Sequence, residues 1–415
     1  MTRPNVTAVP STGQLIIDTP DGNEEVVNLP VFPKAEPLPL IFVNAPGFGL
    51  APARGDGVHD DTAALNAIIA AAQLNMIPIL LPSGLYSISS PLLLCEPTAT
   101  DVARGAVSDI QPGFMLGGTT SPSIQPSTTS GNMIQMTGTN QDAILQIGAG
   151  AVYASQINNI SLDGNSPAHG TKYGIHTIVD HWSGISLMNT RIQNVDLAIW
   201  IDGAVGGGNG EFFNLYNCQF SGRSGCYKNT SPSGQALIHG VLMCAGGTEN
   251  GGTQFWMNDG QLNVFSWSST QGAGPLTNTF LRLDETLSGT CNFMGGRCEI
   301  VDTLISWRGG SAMQTGIVNI AGFNFAGMGG TKPFLSGGGT NCNYNFVIKR
   351  CSFGTNGNVD GPLIVDIGGG GYEMITFEDC TFAGWGGGYA QLTTNPHVTM
   401  IRCRWQDING AMHAL

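Results

Sequence analysis

Between residues 256 and 307 the sequence gathers acids, indoles and guanidinium groups. Asp284 and Glu285 follow the apolar positions Phe280, Leu281 and Leu283, and Glu299 and Asp302 come shortly after. Two carboxyl groups on one outward face can divide acid and base work, or act as acid and nucleophile. Trp256 and Trp307 bracket these acids, and an exposed indole stacks on the apolar face of a sugar ring. Arg282 and Arg297 supply donors for a carboxylated or hydroxyl-rich sugar. Earlier in the chain, His176, Asp180, His181 and Trp182 form a second polar-aromatic cluster, read either as a further ligand contact or as a structural histidine pair. The candidate catalytic groups are therefore Asp284, Glu285, Glu299 and Asp302. The candidate binding groups are Trp256, Trp307, Arg282, Arg297 and Trp182, and all of them also fit an ordinary solvated face.

Whether these side chains face outward depends on the elements that carry them. From about residue 155 a template recurs: apolar, any, apolar, two of any type, small or apolar, any, apolar. It fits Ile157/Ile160/Leu162, Phe213/Leu215/Cys218/Phe220, Leu262/Phe265/Trp267 and Ile375/Phe377/Cys380/Phe382, and less closely Phe293/Cys298/Ile300. The third positions are 160, 190, 218, 241, 265, 298, 323, 351, 380 and 403, spaced by 23 to 33 residues. A repeat of that length is the mark of a solenoid. Alternation sends the template residues inward, and the two intervening positions switch parity, so a bend must separate two strands. Asn159, Asn189 and Asn217 take the second bend position, where Asn tolerates left-handed backbone angles. Cys218, Cys298, Cys351, Cys380 and Cys403 should share one inward position as core fillers, with Phe220, Phe353, Phe382 and Trp405 stacked beside them. Glu299, between Cys298 and Ile300, should then project outward, whereas Trp267 is core and Trp256 and Trp307 are freer. The longest spacing, 33 residues from 265 to 298, singles out the coil bearing Asp284 and Glu285. Ten coils at roughly 4.8 Å each make a body of about 45–50 Å.

Residues 55–65 read Gly-Asp-Gly-Val-His-Asp-Asp-Thr-Ala-Ala-Leu and open an Ala-rich apolar run. The acids Asp60 and Asp61 suit the free N–H groups and positive dipole of a helix start. Residues 79–88 follow as strand, turn and strand. This order resembles the N-terminal cap of the pectate-lyase-like superfamily, whose members are right-handed parallel β-helices. Many phage tailspikes and polysaccharide-degrading enzymes belong to it. The resemblance implies an all-β, right-handed parallel β-helix with an N-terminal capping α-helix. Residues 1–45 are read as an arm or attachment segment, 46–94 as capping helix and first strands, and 95–415 as the β-helix body.

The resemblance also implies a tailspike-like protein that binds and cleaves a bacterial surface polysaccharide, as a glycoside hydrolase using outer-face carboxylates. Alternatives are a non-catalytic glycan-binding or structural virion fibre, and a polysaccharide lyase. It implies a homotrimer that meets virion or baseplate proteins through its N-terminal segment and is located in the virion tail after synthesis in the host cytoplasm. With 16 basic against 29 acidic residues the net charge is −13, and no basic cluster is present, which argues against nucleic acid as a partner. No secretion signal is visible at the first residues, and no apolar run approaches the roughly 20 residues needed to span a membrane. The ten cysteines show no C-x-x-C pair and no zinc spacing, so they are read as buried free thiols, with no metal or cofactor expected. Sixty glycines and only 11% charged residues suit short strands and tight turns.

Overall fold

The computed structural model describes strands within the first forty residues and then residues 40–94, 114–119, 131–147, 152–165, 170–177, 182–202, 210–230, 234–244, 252–270, 279–284, 289–299, 301–309, 314–328, 333–339, 341–359, 365–368, 373–385, 389–406 and 409–415. The chain divides into two units, Met1–Leu40 and Ile41–Leu415. In the first unit, Gln14–Asp18 pairs antiparallel with Glu24–Asn28, and Asn5–Val9 adds a third strand.

The second unit is a right-handed parallel β-helix with three sheets. Each coil crosses a first sheet, bends, crosses a second and then a third, and every strand pairs with its counterpart one coil away. The first sheet contains Val152–Asn158, Trp182–Met188 and Gly210–Tyr216. The second runs through Ser161–Asp163 into the early part of Arg191–Ile201. The third contains Ala143–Ile147, Tyr173–Thr177 and the later part of Arg191–Ile201.

The bend between first and second sheets is built alike in ten successive coils. Asn159, Asn189, Asn217, Gly240, Ser266, Gly295, Gly322, Arg350, Asp379 and Arg402 all occupy the left-handed region, with φ between 48 and 69°. Asn189 Nδ2 also donates to Asn159 Oδ1 at 3.2 Å, so the amides cross-link neighbouring bends. The residue after each bend is the third template position. In two coils it differs from the sequence expectation: it is Trp267 rather than Phe265, and Gly296 rather than Cys298. Cys298 instead pairs with Ser269 and Phe325, two residues further along the strand than the column of Cys218, Cys351, Cys380 and Cys403. The spacing across this region falls accordingly from 33 residues to the 29 that separate Trp267 from Gly296. The supposed long coil was a registration artefact, because Ser269 and Gly296 are inward residues without a large apolar side chain.

The core is a continuous stack of inward side chains. Phe325, Phe353, Phe382 and Trp405 lie one above another, with ring centroids 5.2, 5.0 and 6.4 Å apart. The helix Thr62–Asn75 buries Leu65, Ile68, Ile69 and Ala72 over the first coils. Only Asp60 meets the helix start, accepting from the Thr62 N–H at 3.0 Å. Asp61, the N-cap residue, makes no side-chain bond to the helix and accepts instead from the N–H groups of Arg54 and Gly55 at 2.7 and 3.0 Å. At the other end Met412–Ala414 folds back antiparallel on Arg404–Gln406, so the tail supplies the edge of the last coil with a partner.

Candidate functional site

The outward column of the third sheet brings together the most chemically varied side chains on the β-helix. Gln146, His176, Trp200, Lys228, Trp256, Arg282, Ser306, Ser336 and Asp366 are paired in consecutive coils. Strand parity sends these residues outward because the next residues, Thr177, Ile201, Asn229, Met257, Leu283 and Trp307, point into the core. The coil repeat of about 4.8 Å then brings unlike groups into contact along the column. The His176 and Trp200 rings stack at 4.4 Å with 5° between their planes. Lys228 Nζ lies between two indoles, 4.3 Å from Trp200 and 4.2 Å from Trp256, and the Arg282 guanidinium covers the far side of Trp256 at 4.1 Å. Cations set over ring faces meet the negative side of the π-system.

Carboxylates flank this column. His176 Nδ1 is 2.5 Å from Asp142 Oδ2 and its Nε2 is 3.5 Å from Asp202 Oδ2, so the imidazole bridges two acids. Thr230 Oγ1 donates to Asp202 and accepts the Trp200 indole N–H. Asp284 takes Arg282 Nε at 3.1 Å and its terminal nitrogen at 2.8 Å, a two-pronged clamp that holds the guanidinium on Trp256. Burial lowers the Lys228 pKa from its ordinary value, while Asp202 and Asp284 oppose that shift. Burial likewise raises the Tyr173 phenol, with Asp142, Asp196 and Asp202 adding to the effect.

The structure therefore unites three of the residues nominated from sequence, Trp256, Arg282 and Asp284, with His176 from the second cluster. Arg297 and Glu299 also face outward, but on the second sheet, where they pair with each other at 2.6 Å. Asp302 is buried at the entry to Thr303–Arg308, only 1% exposed. Trp307 is not free: it is 2% exposed and points into the core, where Nε1 donates to Glu373 Oε1 at 3.2 Å. The cause is parity, since Trp307 pairs with inward Leu283 and not with outward Arg282. Glu285, Asp180 and His181 lie outside the described residues, as does the side chain of Trp182, whose backbone pairs with Val152 and Gly210. Trp200, Lys228, Asp142 and Asp202 were missed, although a periodic signal was available: positions 176, 200, 228, 256 and 282 recur at coil-like intervals. Among the described residues no group of three or more His, Cys, Asp or Glu side chains is arranged to hold a metal.

The family model described as rhamnogalacturonase A/epimerase, pectate lyase-like, matches residues 42–263, more than half of the chain. The chain belongs to this pectate lyase-like family. No curated protein matches it. Among solved structures, this pectate lyase-like chain is similar to the Agl-KA catalytic domain at 12% identity, TM-score 0.45, with 87% of this chain and 60% of that one covered. It is similar to the catalytic domain of a GH87 alpha-1,3-glucanase in complex with nigerose at 12% identity and TM-score 0.46, covering 94% and 74%. It is also similar to the gp42 tailspike of Acinetobacter phage vb_AbaP_AS12 at 10% identity and TM-score 0.46, covering 86% and 62%. The chain thus spans less than two thirds of the first and last of these three proteins.

Proposed function

We propose that this chain binds a polysaccharide along its third sheet and cleaves it there. The observation that carries this reading is the column from His176 to Arg282, in which aromatic rings, cations and flanking carboxylates line one outward face without a break. Four coil steps make it about 19 Å long, a length suited to an extended polymer more than to one small molecule. Because neighbours cover the ring faces, a glycan meets ring edges, the Lys228 and Arg282 tips and the acids beside them. Asp284 supplies one carboxyl group for such a cleavage. Asp202 stands three coil steps, about 14 Å, from it and is too distant to be its paired acid, and Glu299 is the rival on the second sheet.

A second reading, a binding protein without catalysis, is favoured by one feature. Both Asp284 oxygens are taken by Arg282 and one Glu299 oxygen is taken by Arg297, so each acid is already engaged within the protein instead of being held ready for a glycosidic oxygen. A bacterial surface polysaccharide, a virion tail and a homotrimer remain proposals that rest on the resemblance carried by residues 55–65.

The test is incubation with a panel of capsular and O-antigen polysaccharides, read by product mass. Products carrying an added water identify a hydrolase, unsaturated products absorbing in the ultraviolet identify a lyase, and retention without cleavage leaves only binding. Trp256→Ala should weaken glycan retention about fivefold, since an aromatic contact contributes around 1 kcal/mol. Asp284→Asn should abolish cleavage with binding kept. Full activity in both variants would remove the third sheet from consideration.

A further inference from the structure

The three sheets differ in what they show to solvent. The second presents Gln219, Ser268, Arg297 and Asn324 in one outward column, with the backbone of Leu242 between Gln219 and Ser268. The third carries the charged and aromatic column. The first carries the exposed apolar side chains: Met188, Tyr216, Phe265 and Met294 stand outward in one column with His239 among them, beside a column of uncharged amides. Met188 is 40% and Met294 51% exposed, with Ile317 and Met374 at 47% and 62% in the column beyond the amides. Among the described residues, every large apolar side chain exposed on a strand of the β-helix lies on this sheet, except Val58 and Met412. Scattered exposed apolar residues are normal, but their concentration on one of three faces is not.

We infer that the outer face of the first sheet is where a second copy of this chain docks. The size fits. Twelve successive pairings connect Phe42 to Ile401 along one column. At about 4.8 Å per step, and about 14 Å across three outward positions, the face covers roughly 800 Å². That is about what one partner contributes to a stable protein–protein interface. The charge fits as well. A chain of net charge −13 repels its own copies, so self-association favours a face without charge. The column carries no charged residue from Asn158 to Ala321, and Lys349 beyond it is neutralised by Glu378 at 2.8 Å. Alongside runs an uncharged amide ladder, in which Asn319 donates to Asn292 and Asn292 to Asn263, each at 2.8 Å. The regular coil spacing makes this face self-complementary in length and step.

Sedimentation equilibrium of the full chain from about 1 to 100 µM should give a multiple of the 43.4 kDa chain mass. Met188→Lys with Met294→Lys should weaken association at least tenfold and leave the circular dichroism spectrum and melting temperature unchanged. Arg297→Ala, on the second sheet, should leave association intact. Peroxide oxidation of the wild type read by mass spectrometry needs no variant: in the assembled form Met294 and Met374 should oxidise more slowly than Met412, which is 50% exposed outside this face. A 43.4 kDa species at every concentration overturns the inference, as does an oligomer that survives the double substitution or leaves Met294 as reactive as Met412.

Discussion

Trp256 and Trp307 are the same side chain at opposite strand parity, and their surroundings follow from that difference. Trp256 stands outward between Lys228 and Arg282, whereas Trp307 is packed inside, 5.0 Å from the Phe346 ring. Acids divide in the same way between ligand face and scaffold. Glu378 is held below its usual range by hydrogen bonds from Lys349 and Arg402, and Asp379 chiefly by Arg402, which reaches it at 2.8 and 3.0 Å. A carboxyl group whose folded pKa is depressed adds stability that is present above its unfolded pKa and lost as pH falls through the folded one. Arg402→Ala should therefore lower the melting temperature at pH 6. The gap from wild type should close as pH drops below about 4, where the unfolded carboxylates begin to protonate. Thermal melts from pH 6 to 2.5 check this, and a gap that persists at the acid end would deny the clamp its role.

At the scale of the element, the repeated bend sets the coil. Asn189 sits at φ 48°, a region that a β-branched residue enters only with strain, and its amide ties this bend to Asn159. Asn189→Val should cost about 2 kcal/mol, combining backbone strain with a lost hydrogen bond, while Asn189→Gly should cost less than about 1 kcal/mol. Urea unfolding of the two variants measures the difference, and equal costs would show that the left-handed bend is not what Asn supplies. This bend was legible in the sequence because alternation and an Asn at a fixed offset are local signals. The template slipped between residues 262 and 300, where Ser269 and Gly296 fill inward positions while Phe265 offers a false apolar match outside the core. The long coil that singles out Asp284 in the sequence is therefore absent, whereas Trp256 and Arg282 are nominated as an indole and a guanidinium near the acids, and the structure brings all three together. The third-sheet column was not legible as a unit. The connections that lead into it vary in length, and no residue type marks its start.

Across the whole β-helix, thiols are as much a core material as the aromatic stack. The side chains of eight of the ten cysteines are described, and all eight are buried and outside any disulfide. Burial pushes Cys218, Cys291 and Cys298 up to about 12, and the hydrogen bond with Cys351 helps to raise Cys380 to the same level. Only the thiolate attacks a disulfide reagent, so at pH 8 groups with a pKa near 12 are about one ten-thousandth ionised. Cys351 is lowered by the hydrogen bond with Cys380, yet it is only 2% exposed, so lack of access protects it where acidity does not. Because each coil is covered by its neighbours, these thiols become reachable only when coils separate. Titration of the native protein with an aromatic disulfide at pH 8 should therefore release no more than two equivalents, and all ten after denaturation. Stepwise release at intermediate urea would show coils opening in succession, and a single step would show the stack failing as one cooperative body. More than two reactive thiols in the native state would contradict the closed core.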